Sequence, residues 1–249
     1  MKKRLIPAIL LGMASTLSSC DFDLFNIEDN IELLYSIDIS KSVGGNKFPT
    51  SGELYRNIIS RIGMVDGYSE YYGRGVTVYF SYIGEDLQPV VIPVVLQRGS
   101  GEALDNRRIR ENKVLDFQDQ LRVNIQALLE KKGTHDYTYM ASSLAYQAKI
   151  MRKNEFADTH EIIVVSDNLE DSRVDFRKII ASGAPDKWKA AADRILERHY
   201  PMGDLSGFRI TLLPCPLPDR REASEIATPY WIERLEKAGA EINVVGNLF

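Results

Sequence analysis

The chain has 249 residues, with 31 Lys+Arg against 35 Asp+Glu and a formal charge of −4. A mildly acidic chain is a poor nonspecific nucleic-acid binder, because affinity for the phosphate backbone comes from clustered Lys and Arg. With only two cysteines, Cys20 and Cys215, stability cannot rest on a disulfide framework.

The first residues read as an address and not as part of the fold. Lys2, Lys3 and Arg4 form a positive stretch, and Leu5–Met13 is apolar but short for a membrane span. The following "LSSC", Leu17 to Cys20, resembles a bacterial lipobox, which implies a signal peptide over 1–19 and lipidation of Cys20. Two or more acyl chains on that cysteine would anchor the protein without a transmembrane helix. Cleavage there takes three of the 31 basic residues, leaving 28 against 35 acidic ones and a charge of −7. The expected location is the cell envelope, on the inner or outer membrane and facing the periplasm or the cell surface. Residues 20–30 serve as lipidated end and polar tether, and the domain occupies 31–249. The roughly 230 residues of the mature chain suit one α/β domain with a real core.

From residue 31, strand and helix patterns alternate. Strands are expected at Glu32–Asp38, Gly75–Ile83, Gln88–Leu96, Glu161–Ser166, Phe208–Leu213 and Glu241–Val245. Several are unbroken apolar runs, as in parallel strands buried on both faces. Helices are expected at Gly52–Met64, Phe117–Lys131, Met140–Lys153, Asp186–Arg198 and Pro229–Ala238. Thr50 and Glu53 have capping-box spacing, and Thr228-Pro229 reads as an N-cap followed by a first-turn proline. Arg98–Lys113 and "NLEDSRVD" after Asp167 read as polar surface loops. The second and third strands are separated only by a short turn around Gly84–Asp86, and Pro93 marks an edge. The fold class is therefore a Rossmann-like, doubly wound, mostly parallel sheet with one antiparallel edge strand and helices on both faces.

Ligands of such sheets bind beyond the carboxyl ends of the strands. Three segments put oxygen-bearing side chains there. "LLYSIDISKSV" ends in Asp38, Ser40 and Ser42; "HDYTYMASSL" carries Thr138 just before a helix; "EIIVVSDNLED" runs an apolar strand into Ser166 and Asp167. Alternation along an extended chain lets Asp38, Ser40 and Ser42 face one point while Ile39 and Lys41 face away.

In this order the segments resemble the von Willebrand factor A domain and its metal-ion-dependent adhesion site. The family's D-x-S-x-S is matched by "DISKS"; its threonine ahead of a helix by Thr138, six residues before Leu144, with Thr134 as a competitor; its T-D-G by "SDN". The resemblance implies a divalent cation, Mg²⁺ or else Mn²⁺ or Ca²⁺, held by Asp38, Ser40, Ser42, Thr138 and Asp167. The serine and threonine hydroxyls would be direct ligands, and both aspartates would act mainly through waters or hydroxyl hydrogen bonds. The implied partner is a protein offering an acidic residue to the metal. Lys41, His135 and Asn168 are candidates for the rim. "VGGNKFP" (Val43–Pro49) lengthens the path to the first helix, as a flap or simply a long loop, and the "NLEDSRVD" loop and "YSEYYGRG" (Tyr68–Gly75) are the segments that could shape a binding face.

Other chemistries find less support. An aspartyl-phosphate phosphatase wants a second acid two residues after Asp38, where Ser40 stands. No G-x-S-x-G elbow surrounds Ser40 or Ser42. His135, His160 and His199 have no metal spacing, and Cys215 lacks a partner histidine. The expectation is a binding module and not an enzyme, with a metal-independent assembly module as the alternative and a metal-dependent phosphohydrolase a distant third.

Overall fold

The computed structural model describes residues 30–45, 47–65, 73–99, 106–153, 157, 159–182 and 185–248. The expected signal peptide, Cys20, the tether before Asn30 and the aromatic stretch up to Tyr72 lie outside the described residues.

Six strands form one sheet in the order β3-β2-β1-β4-β5-β6. They are β1 (Ile31–Asp38), β2 (Val76–Ile83), β3 (Val91–Leu96), β4 (Thr159–Ser166), β5 (Phe208–Pro214) and β6 (Glu241–Val244). All neighbours pair in parallel except β2 with β3, which are antiparallel. The fold class read from the sequence is thus the fold observed. Pro93 lies in β3, at the open edge where a missing N–H is tolerated.

Helices cover both faces. α1 (Ser51–Arg61) and α2 (Arg107–Leu129) close one face through Leu54, Ile58, Val114, Phe117, Leu121 and Ile125, packed on Leu33, Tyr35 and Ile37 of β1. On the other lie α3 (Met140–Met151), α4 (Phe176–Ser182), α5 (Pro185–His199) and α6 (Arg221–Lys237). There Leu144, Phe176, Trp188, Tyr230 and Trp231 pack over Leu34, Ile162 and Val164. Burial on both faces explains the unbroken apolar run of β4. No helix among the described residues is long and apolar enough to cross a membrane.

The capping box at α1 is present: Glu53 N–H donates to Thr50 Oγ1 (3.3 Å) and Thr50 N–H to Glu53 Oε2 (2.7 Å). Three expectations need correction. Arg98–Lys113 is not all loop, because α2 begins at Arg107 behind the Asn106 cap. Arg, Glu and Lys are good helix formers, and Arg110 takes an inward position, donating to the carbonyls of Gln97 and Arg74.

The last helix does not start at Pro229. It starts at Arg221 behind a 3₁₀ turn, Pro218–Arg220, and runs through Pro229. Thr228 does not cap it but turns its hydroxyl back to the Ser224 carbonyl (2.8 Å). The "NLEDSRVD" loop is not solvated throughout: Asn168, Leu169 and Glu170 are buried beneath the helices, and α4 follows.

The register of α2 is open to test. Leu121 is fully buried and Val123 is 68% exposed. Leu121→Ala should cost about 2–5 kcal/mol in chemical denaturation, and Val123→Ala should stay within about 0.5 kcal/mol. The reverse ranking would mean that α2 presents a different face.

Candidate metal centre

The sheet's chain direction reverses between β1 and β4: the path runs outward through β2 and β3, then crosses to β4 and continues the other way. In an open α/β sheet this switch point opens a crevice at the carboxyl ends of the strands. Asp38 closes β1 and Asp167 follows β4, so the topology alone brings these two carboxylates to one place.

Asp38 is fully buried and gathers three segments. Its Oδ1 accepts the Ser40 N–H (2.9 Å), and its Oδ2 accepts the hydroxyls of Ser166 (2.7 Å) and Thr138 (3.4 Å). The hydroxyls of Ser40 and Ser42 lie 2.7 Å apart, sharing one hydrogen bond. Asp167 Oδ1 accepts the Leu169 N–H (3.0 Å), and the Ser42 hydroxyl lies beside its carboxyl group. Asp38, Ser40, Ser42, Thr138 and Asp167 therefore meet, and all five are buried.

The loop carrying Thr138 is strapped to the end of β1. Gly133 N–H donates to Ile39 O (2.8 Å) and Lys41 N–H to His135 O (2.9 Å). Thr134, the competing threonine, is exposed and spends its hydroxyl on the Lys131 carbonyl (2.6 Å). Thr138 is the one that faces Asp38.

The expected rim residues separate. Lys41 points outward, 63% exposed, and pairs with Asp136 at 2.7 Å. His135 is half-buried beside the β2–β3 turn, its Nδ1 accepting the Glu85 N–H (3.1 Å). Asn168 is not at the rim: it is fully buried, and its amide donates to Thr228 Oγ1 (2.9 Å). Its backbone has φ 60°, the left-handed region where the family pattern has glycine and where Asn is the readiest substitute. The segment from Val43 is held against the strand β5 extension, with Gly44 N–H on Cys215 O (3.0 Å) and Cys215 Sγ on Lys47 O (3.2 Å). Burial pushes the Cys215 thiol up to about 12, which makes it a poor nucleophile.

Ser166 and Glu170 belong to this region and were not among the expected site residues. Ser166 had a signal, a hydroxyl closing an apolar strand where T-D-G carries threonine. Glu170 had none, because it stands in a run of polar residues.

Burial, and then the neighbouring Asp167 charge, push Asp38 up to about 7 against hydrogen bonds from Ser166 and Ser40. Burial also raises Asp167; the Ser42 hydroxyl, the Leu169 amide and the more distant charges of Arg220 and Arg177 offset part of it. Among the described residues no basic side chain forms an ion pair with either carboxylate. Asp167 Oδ2 is buried with no hydrogen-bond partner among them.

Two close, unpaired buried carboxylates are costly in a low-dielectric site, and a cation between them would offset that cost. Among the described residues no three His, Cys, Asp or Glu side chains cluster. The donors are hydroxyls and carboxylates, a set suited to Mg²⁺, Mn²⁺ or Ca²⁺ and not to thiolate- or imidazole-bound metals. The residues present fit the expected cation.

No family model and no curated protein matches the sequence. Solved structures with similar folds include the PilB minor pilin from Streptococcus sanguinis, at 11% identity and a TM-score of 0.46, covering 89% of this chain and 58% of that one. The human COPII-coat protein Sec24c is similar at 11% identity and a TM-score of 0.38, covering 88% of this chain and 30% of that one. Manganese-loaded Plasmodium vivax TRAP protein is similar at 13% identity and a TM-score of 0.30, covering 81% and 73%. The chain thus spans little more than half of the pilin and under a third of the coat protein. At this level of identity and superposition the likenesses assign no activity, ligand or partner to this chain.

Two of the raised carboxyls, Asp38 and Glu170, sit at about 7, in each case chiefly through burial. Unfolded, such groups titrate at about 4. Between those values the native state binds more protons, so stability is present below the lower value and is lost as pH rises through about 7. Urea denaturation without divalent cations should show a lower midpoint at pH 8 than at pH 5. Asp38→Asn should shrink the difference; an unchanged pH dependence in that variant would contradict the assignment.

Proposed function

We propose that this chain is a von Willebrand factor A-type binding domain on a membrane-anchored lipoprotein, and that it grips a protein partner through a divalent cation. The observation that carries this reading is the meeting of three hydroxyls and two unpaired buried carboxylates at the sheet's switch point.

Ser40, Ser42 and Thr138 would hold the cation as neutral ligands. Asp38 and Asp167 would orient those hydroxyls and bound waters, and their charges would balance the ion. Asp38 already accepts hydrogen bonds from Thr138 and Ser166, the role expected of it. When bound, the ion supplies an electron-poor position that an acidic side chain of a partner can fill. Lys41 pairs with Asp136 beside this mouth, which weakens the repulsion that the Asp136 carboxylate would exert on such a partner.

On this reading the chain works as a tethered adhesion or assembly module, with Cys20 as its lipid anchor, and catalyses no reaction. One observation favours the metal-independent alternative. Ser40 and Ser42 already share a hydrogen bond, and three donors already serve Asp38, so much of the network closes on itself.

Isothermal titration of the purified protein with Mg²⁺ and Mn²⁺ separates the two. The cation reading expects one site, lost in Asp38→Ala and preserved within about twofold in Lys41→Ala, whose side chain lies outside the cluster. No binding to the wild-type protein, or binding indifferent to Asp38→Ala, would leave the metal-free module as the better account.

A further inference from the structure

Helix α3 starts without a cap of its own. Tyr139 precedes it with φ −104° and ψ 65° and makes no side-chain hydrogen bond to the first turn. The first N–H groups of a helix have no partner inside it and must find one elsewhere. Here the partner comes from the loop after β4: Glu170 Oε2 accepts the Ala141 N–H at 2.9 Å. The next residue acts on the same loop, since Asp171 N–H donates to the Thr138 carbonyl at 2.8 Å.

A carboxylate is a costly way to cap a buried helix end. Glu170 is 1% exposed, and among the described residues, apart from the α3 amides, only the Ser172 hydroxyl of its own loop lies beside its carboxyl group. Ser, Thr, Asn or Asp at position 139 would satisfy the helix from within. Capping from the β4 loop does something that a local cap cannot. It ties the start of α3 to the stretch that begins with Asp167, in addition to the strap on β1 and the bond from Tyr139 N–H to Gly84 O (2.9 Å). Thr138 depends on this most, because its 3.4 Å bond to Asp38 is the longest in the cluster. Glu170 also carries its charge to a helix N-terminus, where the backbone dipoles favour an anion. The charged group facing it from another element is Arg234 of α6, and α3 presents only the amides of Met140 and Ala141.

We propose that Glu170 is a positioning residue for the cation site: from outside the cluster it caps α3 and thereby fixes where Thr138 presents its hydroxyl. The proposal rests on the cation reading above.

The test measures Mg²⁺ affinity by titration and the hydrogen exchange of individual amides by NMR, both on the purified protein. Glu170→Ala should weaken Mg²⁺ binding roughly tenfold and speed exchange at Ala141 and Asp171. Glu170→Gln keeps an acceptor oxygen for Ala141 without the charge, and should restore affinity to within about threefold. Equal losses in both variants would mean that Glu170 acts by charge alone, and unchanged affinity in Glu170→Ala would mean that it acts on stability alone; either overturns the proposal.

If Glu170→Ala does not fold, the wild-type protein still decides. By reciprocity, Mg²⁺ should slow exchange at Ala141 and Asp171 by the same roughly tenfold factor, and no change there overturns the proposal. Absence of any Mg²⁺ or Mn²⁺ binding by the wild-type protein would instead sink the cation reading and this inference with it.

Discussion

The structure turns on the buried carboxylate of Asp38. It sits at the end of β1, between the two neighbours of that strand, and accepts from Ser40, Thr138 and Ser166. Through those bonds one side chain joins the end of β1, the loop before α3 and the end of β4. A carboxylate buried here would cost several kcal/mol without compensation. The fold meets part of that cost with hydrogen bonds, and burial with the Asp167 charge raises its pKa to about 7. What hydrogen bonds leave uncompensated is the negative charge of the pair, which a cation, on the reading proposed above, would balance.

The same economy explains the elements around the cluster. Asn168 accepts a left-handed backbone so that the chain can turn sharply after Asp167, and α6 holds it there through Thr228 and through Trp231, whose Nε1 donates to Asn168 O (2.9 Å). Glu170 then reaches α3, and Asp171 N–H reaches Thr138 in the loop ahead of it. The turn after β4 is therefore a built part of the interior. It is fixed by hydrogen bonds on both sides, and Glu170 is inside because it serves a backbone amide of α3.

Much of this was legible in the sequence. Unbroken apolar strands announced a sheet buried on both faces, Pro93 marked the open edge, and Thr50 with Glu53 gave the start of α1. The D-x-S-x-S alternation put three oxygen side chains on one point, and the structure brings Thr138 and Asp167 to the same point. The failures share a physical cause. Charge in a sequence reads as exposure, yet Arg110 and Glu170 are buried because each satisfies backbone groups that no apolar residue could serve. Pro229 read as a helix start because proline suits a first turn; tertiary packing of Ala227, Tyr230 and Trp231 carries α6 past it. Ser166 was visible as a strand-end hydroxyl, but only the pairing of β4 with β1 shows that it belongs to Asp38.

The most direct test is crystallographic. Crystals grown or soaked with Mn²⁺ should show an anomalous peak among Ser40, Ser42 and Thr138, with hydroxyl oxygens at roughly the 2.0–2.2 Å expected of a small divalent ion. Asp38 and Asp167 should lie around it at hydrogen-bonding distance from its ligands. Density for no ion at saturating Mn²⁺, with the Ser40–Ser42 hydrogen bond intact, would contradict the account.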